Sequence, residues 1–186
     1  MPRALAILFA VFAPLLFAAQ SLVWPDVDGK AHQPLAPTGA KAAVLLFLAC
    51  DCPISNVYAP EIARLRKEFA ALPLYLVYPD PEVTAASARK HATEYKLPGV
   101  LLVDPKIELA RGTAATIAPE AVVVDAVGKV VYRGPINNRF EDLGRERNVT
   151  TEHDLRDALW ALLAGKSIAV AQTKAIGCFI PELKKK

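Results

Sequence analysis

Behind Met1-Pro2-Arg3 the chain runs uncharged and apolar from Ala4 to Ala19, broken only by Pro14. Beyond it, short apolar runs alternate with amphipathic stretches. Ala43 to Leu48 (AVLLFL), Leu74 to Tyr78 (LYLVY) and Val100 to Val103 are continuous apolar runs, the pattern of strands buried on both faces. From Asn56 to Leu72, the residues Tyr58, Ile62, Leu65, Phe69 and Leu72 recur at spacings of three and four. Arg64, Arg66, Lys67 and Glu68 lie between them, which predicts an amphipathic helix. Glu82 to Tyr95 is rich in helix formers and polar residues and predicts an outer helix, and Ile107 to Thr113 a short one. Ala121 to Asp125, Val127-Gly128 and Lys129 to Tyr132 predict a hairpin. Gly134 to Asn148 is polar and reads as irregular. Thr151-Glu152-His153-Asp154 resembles a capping box opening a last helix, with Leu155, Leu159, Leu162 and Leu163 on one face and Gly165 as its stop. Strands with intervening helices, then a hairpin and a closing helix, predict an α/β fold with a mixed central sheet flanked by helices.

The N-terminal run changes the domain picture. One positive charge, an apolar stretch and then Ala18-Ala19-Gln20-Ser21 read as a secretory signal peptide. The run is shorter than the roughly 20 apolar residues a membrane span needs, and it carries a proline. An uncleaved anchor is the alternative, and it is the chain's sole expected tie to a membrane. The expected organisation is therefore a signal peptide over residues 1–21, an α/β domain over 22–165 and a tail over 166–186 carrying Cys178. Export predicts a periplasmic or secreted protein, where disulfides persist. With 22 Lys and Arg against 19 Asp and Glu, and no basic stripe, the charge argues against nucleic acid as a partner. Three cysteines in 186 residues are too few for a disulfide scaffold, and a domain of this length does not need one. His32, His91 and His153 show no metal-ligand spacing, and His153 near a helix start reads as a surface residue.

The cysteines gain meaning from their places. Phe47-Leu48-Ala49-Cys50-Asp51-Cys52-Pro53-Ile54-Ser55 joins the first buried strand to the amphipathic helix. Proline suits the first helical position, so Cys52 would stand at the cap, among unpaired N–H groups. The positive end of the helix dipole favours a thiolate there. Asp51 opposes this if its carboxylate turns toward the sulfur; strand alternation places it on the face opposite Cys50 and Cys52. Cys50 reads equally well as core filling.

Cys52-Pro53-Ile54-Ser55, followed by Ala59-Pro60, resembles the active-site segment of the thioredoxin-like superfamily. Ser55 stands in place of the second helical cysteine, and Leu46 in place of the buried acid that serves it. Ala118-Pro119-Glu120, with Gly128 and Tyr132-Arg133-Gly134, is similar to the superfamily's cis-proline strand and hairpin, which implies a cis bond at Pro119 beside the nucleophile. The added strand and helix between Cys52 and Pro119, and Trp24-Pro25-Asp26-Val27-Asp28-Gly29-Lys30 as an N-terminal hairpin, resemble the redoxin, alkyl-hydroperoxide-reductase-like and TlpA/ResA-like branches. Gly177-Cys178-Phe179-Ile180 resembles the C-terminal Gly-Cys-x-Ile of exported bacterial redoxin-domain proteins. The resemblance spans roughly residues 22 to 180.

The resemblance implies a thiol–disulfide oxidoreductase without a cofactor. Cys52 is the nucleophile, with Cys178 or Cys50 as resolving thiol, Pro119 in the site, and protein or small-molecule thiols and disulfides as partners. Same-face residues of an extended strand lie too far apart for a disulfide, which disfavours Cys50–Cys52. Cys52–Cys178 is the expected pair, and Cys50–Cys178 the next. A peroxidase acting on peroxides through a Cys52 sulfenic acid is the first alternative. The proline and Thr/Ser that peroxiredoxins carry before the cysteine are here Leu45 and Ala49. A Sco-like copper site at Cys50 and Cys52 is the second; its Cys-x-x-x-Cys-Pro spacing is not reproduced. A redox-inert partner-binding domain is the third.

Overall fold

The computed structural model describes residues 23–181; the predicted signal peptide and the last five residues lie outside it. A short antiparallel pair, β1 (Trp24–Pro25) and β2 (Ala31–His32), precedes β3 (Ala42–Phe47). Two helical segments follow, α1 (Pro53–Val57) and α2 (Ala59–Glu68), then β4 (Leu74–Tyr78), α3 (Ala85–Glu94) and β5 (Val100–Val103). After α4 (Glu108–Thr113) and β6 (Ile117–Ala118) comes the hairpin of β7 (Glu120–Asp125) and β8 (Val130–Gly134). A small hairpin of β9 (Phe140–Asp142) and β10 (Arg145–Glu146), helix α5 (Asp154–Leu163) and strand β11 (Cys178–Phe179) complete the order.

The central sheet has the order β5-β4-β3-β7-β8. Strands β3, β4 and β5 are parallel, and β7 turns back antiparallel to β3, pairing Phe47 with Glu120. The expected mixed sheet is thus present. Each residue of β3 is buried, as a continuous apolar run requires. Val44 and Leu46 face a layer with Ile62 and Leu65 of α2 and Leu155 and Leu159 of α5. Leu45 and Phe47 face a second layer with Trp24, Leu109 of α4 and Ile180 of the tail. Among the described residues no helix is long and apolar enough to cross a membrane.

Four expectations are corrected. The helical segment opens at Pro53, as Cys52-Pro53 predicts, but the single helix predicted over Asn56 to Leu72 is interrupted at Tyr58. Pro60 has no N–H to return to Asn56, and the turn closes instead through Tyr58 N–H to Ser55 at 3.2 Å. The capping box at Thr151 does not form. Asn138 holds that segment, donating to Thr151 Oγ1 at 2.9 Å and accepting from the amides of Thr151 and Glu152, so α5 starts later, after His153. His153 is itself half-buried, with an unpaired Nδ1. The stretch read as irregular, Gly134 to Asn148, holds the β9–β10 hairpin and buries the side chains of Ile136 and Asn137.

Candidate active site

The loop leaving β3 makes a turn at Cys50-Asp51 and delivers Cys52 to the N-cap of α1, with Pro53 as the first helical residue. The Cys52 backbone is extended (φ −83°, ψ 112°), as a cap requires, and no side chain caps the helix. The first-turn N–H groups are therefore free to face the cysteine sulfur. Ser55, in the place of a second helical cysteine, is buried. Its Oγ accepts the Ala49 amide proton at 3.3 Å and ties the strand end to the helix.

The second wall is the segment around Pro119. The Ala118–Pro119 peptide is cis, as the resemblance implied. Cys52 is 1% exposed, and its Sγ lies 3.4 Å from the Ala118 carbonyl oxygen. Glu120, the next residue, is buried at the head of β7. Its carboxylate accepts from the Thr116 amide at 2.9 Å and the Ile117 amide at 3.5 Å, and Arg133 Nε lies 3.9 Å away. Burial pushes the Glu120 carboxyl above its ordinary value, against the pull of these amides and of Arg133. Glu120 thus clamps the backbone just before Pro119.

The tail forms the third wall. Strand β11 pairs antiparallel with β6, with Cys178 opposite Ala118 and Phe179 opposite Ile117. Cys178 is joined to Cys52 by a disulfide, with Cα atoms 6.3 Å apart. Cys50 stays a half-buried free thiol. Its pKa is raised by burial first, then by Asp51 and Asp80. The structure therefore brings Cys52, Cys178 and Pro119 together and leaves Cys50 unbonded beside them. Among the described residues no group of three or more His, Cys, Asp or Glu side chains stands where it could hold a metal ion.

Sequence reasoning missed two features here. Glu120 was signalled by an acidic residue heading the apolar run Ala121 to Val124, directly after the proline. The other is a buried chain. Asn56 of α1 meets His91 Nε2 at 2.8 Å, and His91 Nδ1 meets the Tyr78 hydroxyl at 3.0 Å. With Asn56 Oδ1 as acceptor, Nε2 carries a proton, and in the neutral imidazole Nδ1 accepts from the Tyr78 hydroxyl. Burial lowers the His91 pKa and favours that neutral form. The chain fixes α1 against β4 and α3. Nothing local in the sequence signalled it.

The model of the AhpC/TSA family matches residues 17–133. Among solved structures, a hypothetical protein of Sinorhizobium meliloti 1021 superposes with a TM-score of 0.73 at 23% identity, covering 88% of this chain and 92% of that one. An uncharacterized conserved protein from Geobacillus kaustophilus gives 0.74 at 23% identity, over 88% and 89%. A secreted Mycobacterium tuberculosis disulfide oxidoreductase, homologous to E. coli DsbE, gives 0.54 at 16% identity, over 78% and 96%. These likenesses establish the fold. No curated protein matches the sequence.

Proposed function

The chain belongs to the AhpC/TSA family, and from that premise we propose that it is an exported thiol–disulfide oxidoreductase with Cys52 as nucleophile and Cys178 as resolving thiol. The observation that carries this reading is the Cys52–Cys178 bond itself, formed at an uncapped helix start beside Pro119. In the reduced protein the free N–H groups of α1 stabilise a Cys52 thiolate. Near-complete burial and the Ala118 carbonyl oxygen oppose it.

The reaction follows from the pairing. Cys52 thiolate attacks one sulfur of a substrate disulfide and forms a mixed disulfide, releasing the other substrate sulfur as a thiol. Cys178 then attacks Cys52 Sγ, forming Cys52–Cys178 and releasing the second substrate thiol. The substrate gains two electrons and two protons, and the protein loses them. The reverse sequence oxidises a dithiol. Ser55 removes the fast release that a second helical thiol would provide, so the tail cysteine supplies it. Peroxide chemistry is less well served, because Ala49 and Leu45 offer no side-chain hydroxyl or proline to orient a peroxide. The proposed setting is the bacterial periplasm or exterior, where such a bond persists.

The test is cysteine mapping of the full chain across a series of glutathione redox ratios. A Cys52–Cys178 bridge that forms and opens reversibly, and loss of exchange with small disulfides in Cys52→Ser, are the expected results. Three permanently unreactive thiols would sink the proposal.

A further inference from the structure

We propose that Glu120 and Arg133 form one positioning unit for the resolving thiol. Together they hold the tail on the body, so that Cys178 returns to Cys52 within the chain instead of leaving the mixed disulfide to a thiol from solution. The inference rests on the oxidoreductase reading and names two residues that govern its second step.

The main chain of the tail is hydrogen-bonded to the body at two places. Residues 171–174 are exposed, and Arg133 holds them through its own main chain, donating to Ala171 at 2.9 Å and accepting from Thr173 at 3.1 Å. Further on, β11 lies antiparallel on β6, and the Ile180 amide donates to the Thr116 carbonyl at 2.9 Å. Both places lead back to one buried acid. Glu120 is 4% exposed at the head of β7, ahead of the fully buried apolar run Ala121 to Val124.

The Glu120 carboxylate accepts from the Thr116 amide at 2.9 Å, and the same oxygen lies 3.5 Å from the Ile117 amide. That second amide belongs to the peptide unit whose carbonyl, on Thr116, holds Ile180. A carboxylate on the N–H side of a peptide strengthens its carbonyl as an acceptor, so the buried charge reaches the tail through one peptide unit. Arg133 closes the arrangement. Its Nε lies 3.9 Å from the other Glu120 oxygen, and its Nη1 donates to the Ala114 carbonyl at 2.5 Å. The guanidinium thus fixes the start of the segment leading to Pro119, the carboxylate fixes its middle, and the Arg133 main chain fixes the tail beside β8.

Burying an acid here is costly, and a neutral oxygen would satisfy the two amides. The ionised pair serves the step in which the tail has lost its covalent tie. While Cys52 carries a mixed disulfide, only non-covalent contacts keep Cys178 near it. A thiol on a short flexible tail has an effective concentration on the order of millimolar, and a seated tail raises that value. The Cys178 thiolate then attacks Cys52 Sγ, and the Cys52–Cys178 bond forms. The mixed disulfide breaks with its electron pair on the substrate sulfur, which takes a proton from water. Glu120 and Arg133 exchange neither electrons nor protons in this step; they set where the attacking sulfur stands.

The test uses the full chain and oxidised glutathione as the probe. Two quantities are read. One is the rate at which Cys52 captures glutathione in a Cys178→Ser background. The other is the effective concentration of Cys178, from the ratio of Cys52–Cys178 bridge to Cys52–glutathione disulfide at known reduced glutathione. Glu120→Ala should lower the effective concentration about tenfold, the equivalent of one hydrogen bond of ordinary net strength, and lower capture far less. Glu120→Gln keeps an acceptor and should recover part of the loss. Arg133→Ala leaves the main-chain bonds to Ala171 and Thr173 in place and should also lower the value. The double variant should lose less than the product of the two single losses, and a full product would overturn the single unit. An unchanged effective concentration in Glu120→Ala, or a loss matched by an equal loss of capture, overturns the positioning role and leaves the oxidoreductase reading standing. If Glu120→Ala does not fold, wild-type values in both Glu120→Gln and Arg133→Ala overturn it equally. A wild-type chain that neither captures glutathione nor closes the bridge overturns the oxidoreductase reading itself.

Discussion

Asn56 and His91, far apart in sequence, meet at 2.8 Å and join the helix that presents Cys52 to α3. Burial lowers the His91 pKa from an ordinary 6.5 and favours the neutral ring. The unfolded chain therefore binds the proton first. Stability from this group is complete above about pH 6.5 and is lost as pH falls through the window below it. His91→Gln should flatten that slope in urea unfolding measured at a series of pH values. Asn56→Ala should cost about 1–2 kcal/mol at neutral pH by leaving His91 Nε2 unpaired. Parallel pH curves for wild type and His91→Gln would show that the imidazole is not the source.

Glu120 carries the opposite sign. Its folded pKa is raised above 4.5, chiefly by burial, so its contribution is complete below that value and declines as pH rises through the folded pKa. Glu120→Gln keeps an acceptor for the Thr116 amide and removes the buried charge. Relative to wild type, the variant should gain stability between acidic and neutral pH. A constant difference across that range contradicts the assignment.

The disulfide spans a sequence separation of 126 residues. Loop-closure entropy for such a span is worth at most about 5 kcal/mol. Reduction and Cys178→Ser should lower the urea midpoint by similar amounts, whereas Cys50→Ser should leave the reducible bond in place. A midpoint unmoved by reduction would mean that the tail leaves the body before the core unfolds.

Ser55→Cys places a thiol one helical turn from Cys52. The new thiol should compete with Cys178, so that alkylation after mild oxidation labels Cys178 in part of the population. Complete retention of the Cys52–Cys178 bond would show that the tail is seated too firmly to be displaced.

Most of the scaffold was readable from local pattern. The strands Leu74–Tyr78 and Val100–Val103 coincide with their apolar runs, and Cys52-Pro53 marks the helix start where it lies. Errors arose where distant partners decided the outcome. Thr151 looks like a cap, yet its hydroxyl is taken by Asn138, 13 residues earlier. The capping box that does form, Thr84 with Ser87, lacks the Glu or Gln that usually marks one. Pro60 interrupts the helix at Tyr58, and the apolar spacing around it runs on without a break. The Asn56–His91–Tyr78 chain joins three elements and leaves no local trace.

The order of the two bonded cysteines along the chain also has a consequence in time. At ordinary synthesis rates of about 5–20 residues per second, Cys52 is made roughly 6–25 seconds before Cys178. During that interval the proposed nucleophile has only Cys50 and foreign thiols within reach. A nascent chain stalled short of residue 178 would therefore expose a reactive sulfur with no resolving partner of its own, and would be trapped by whatever disulfide it met.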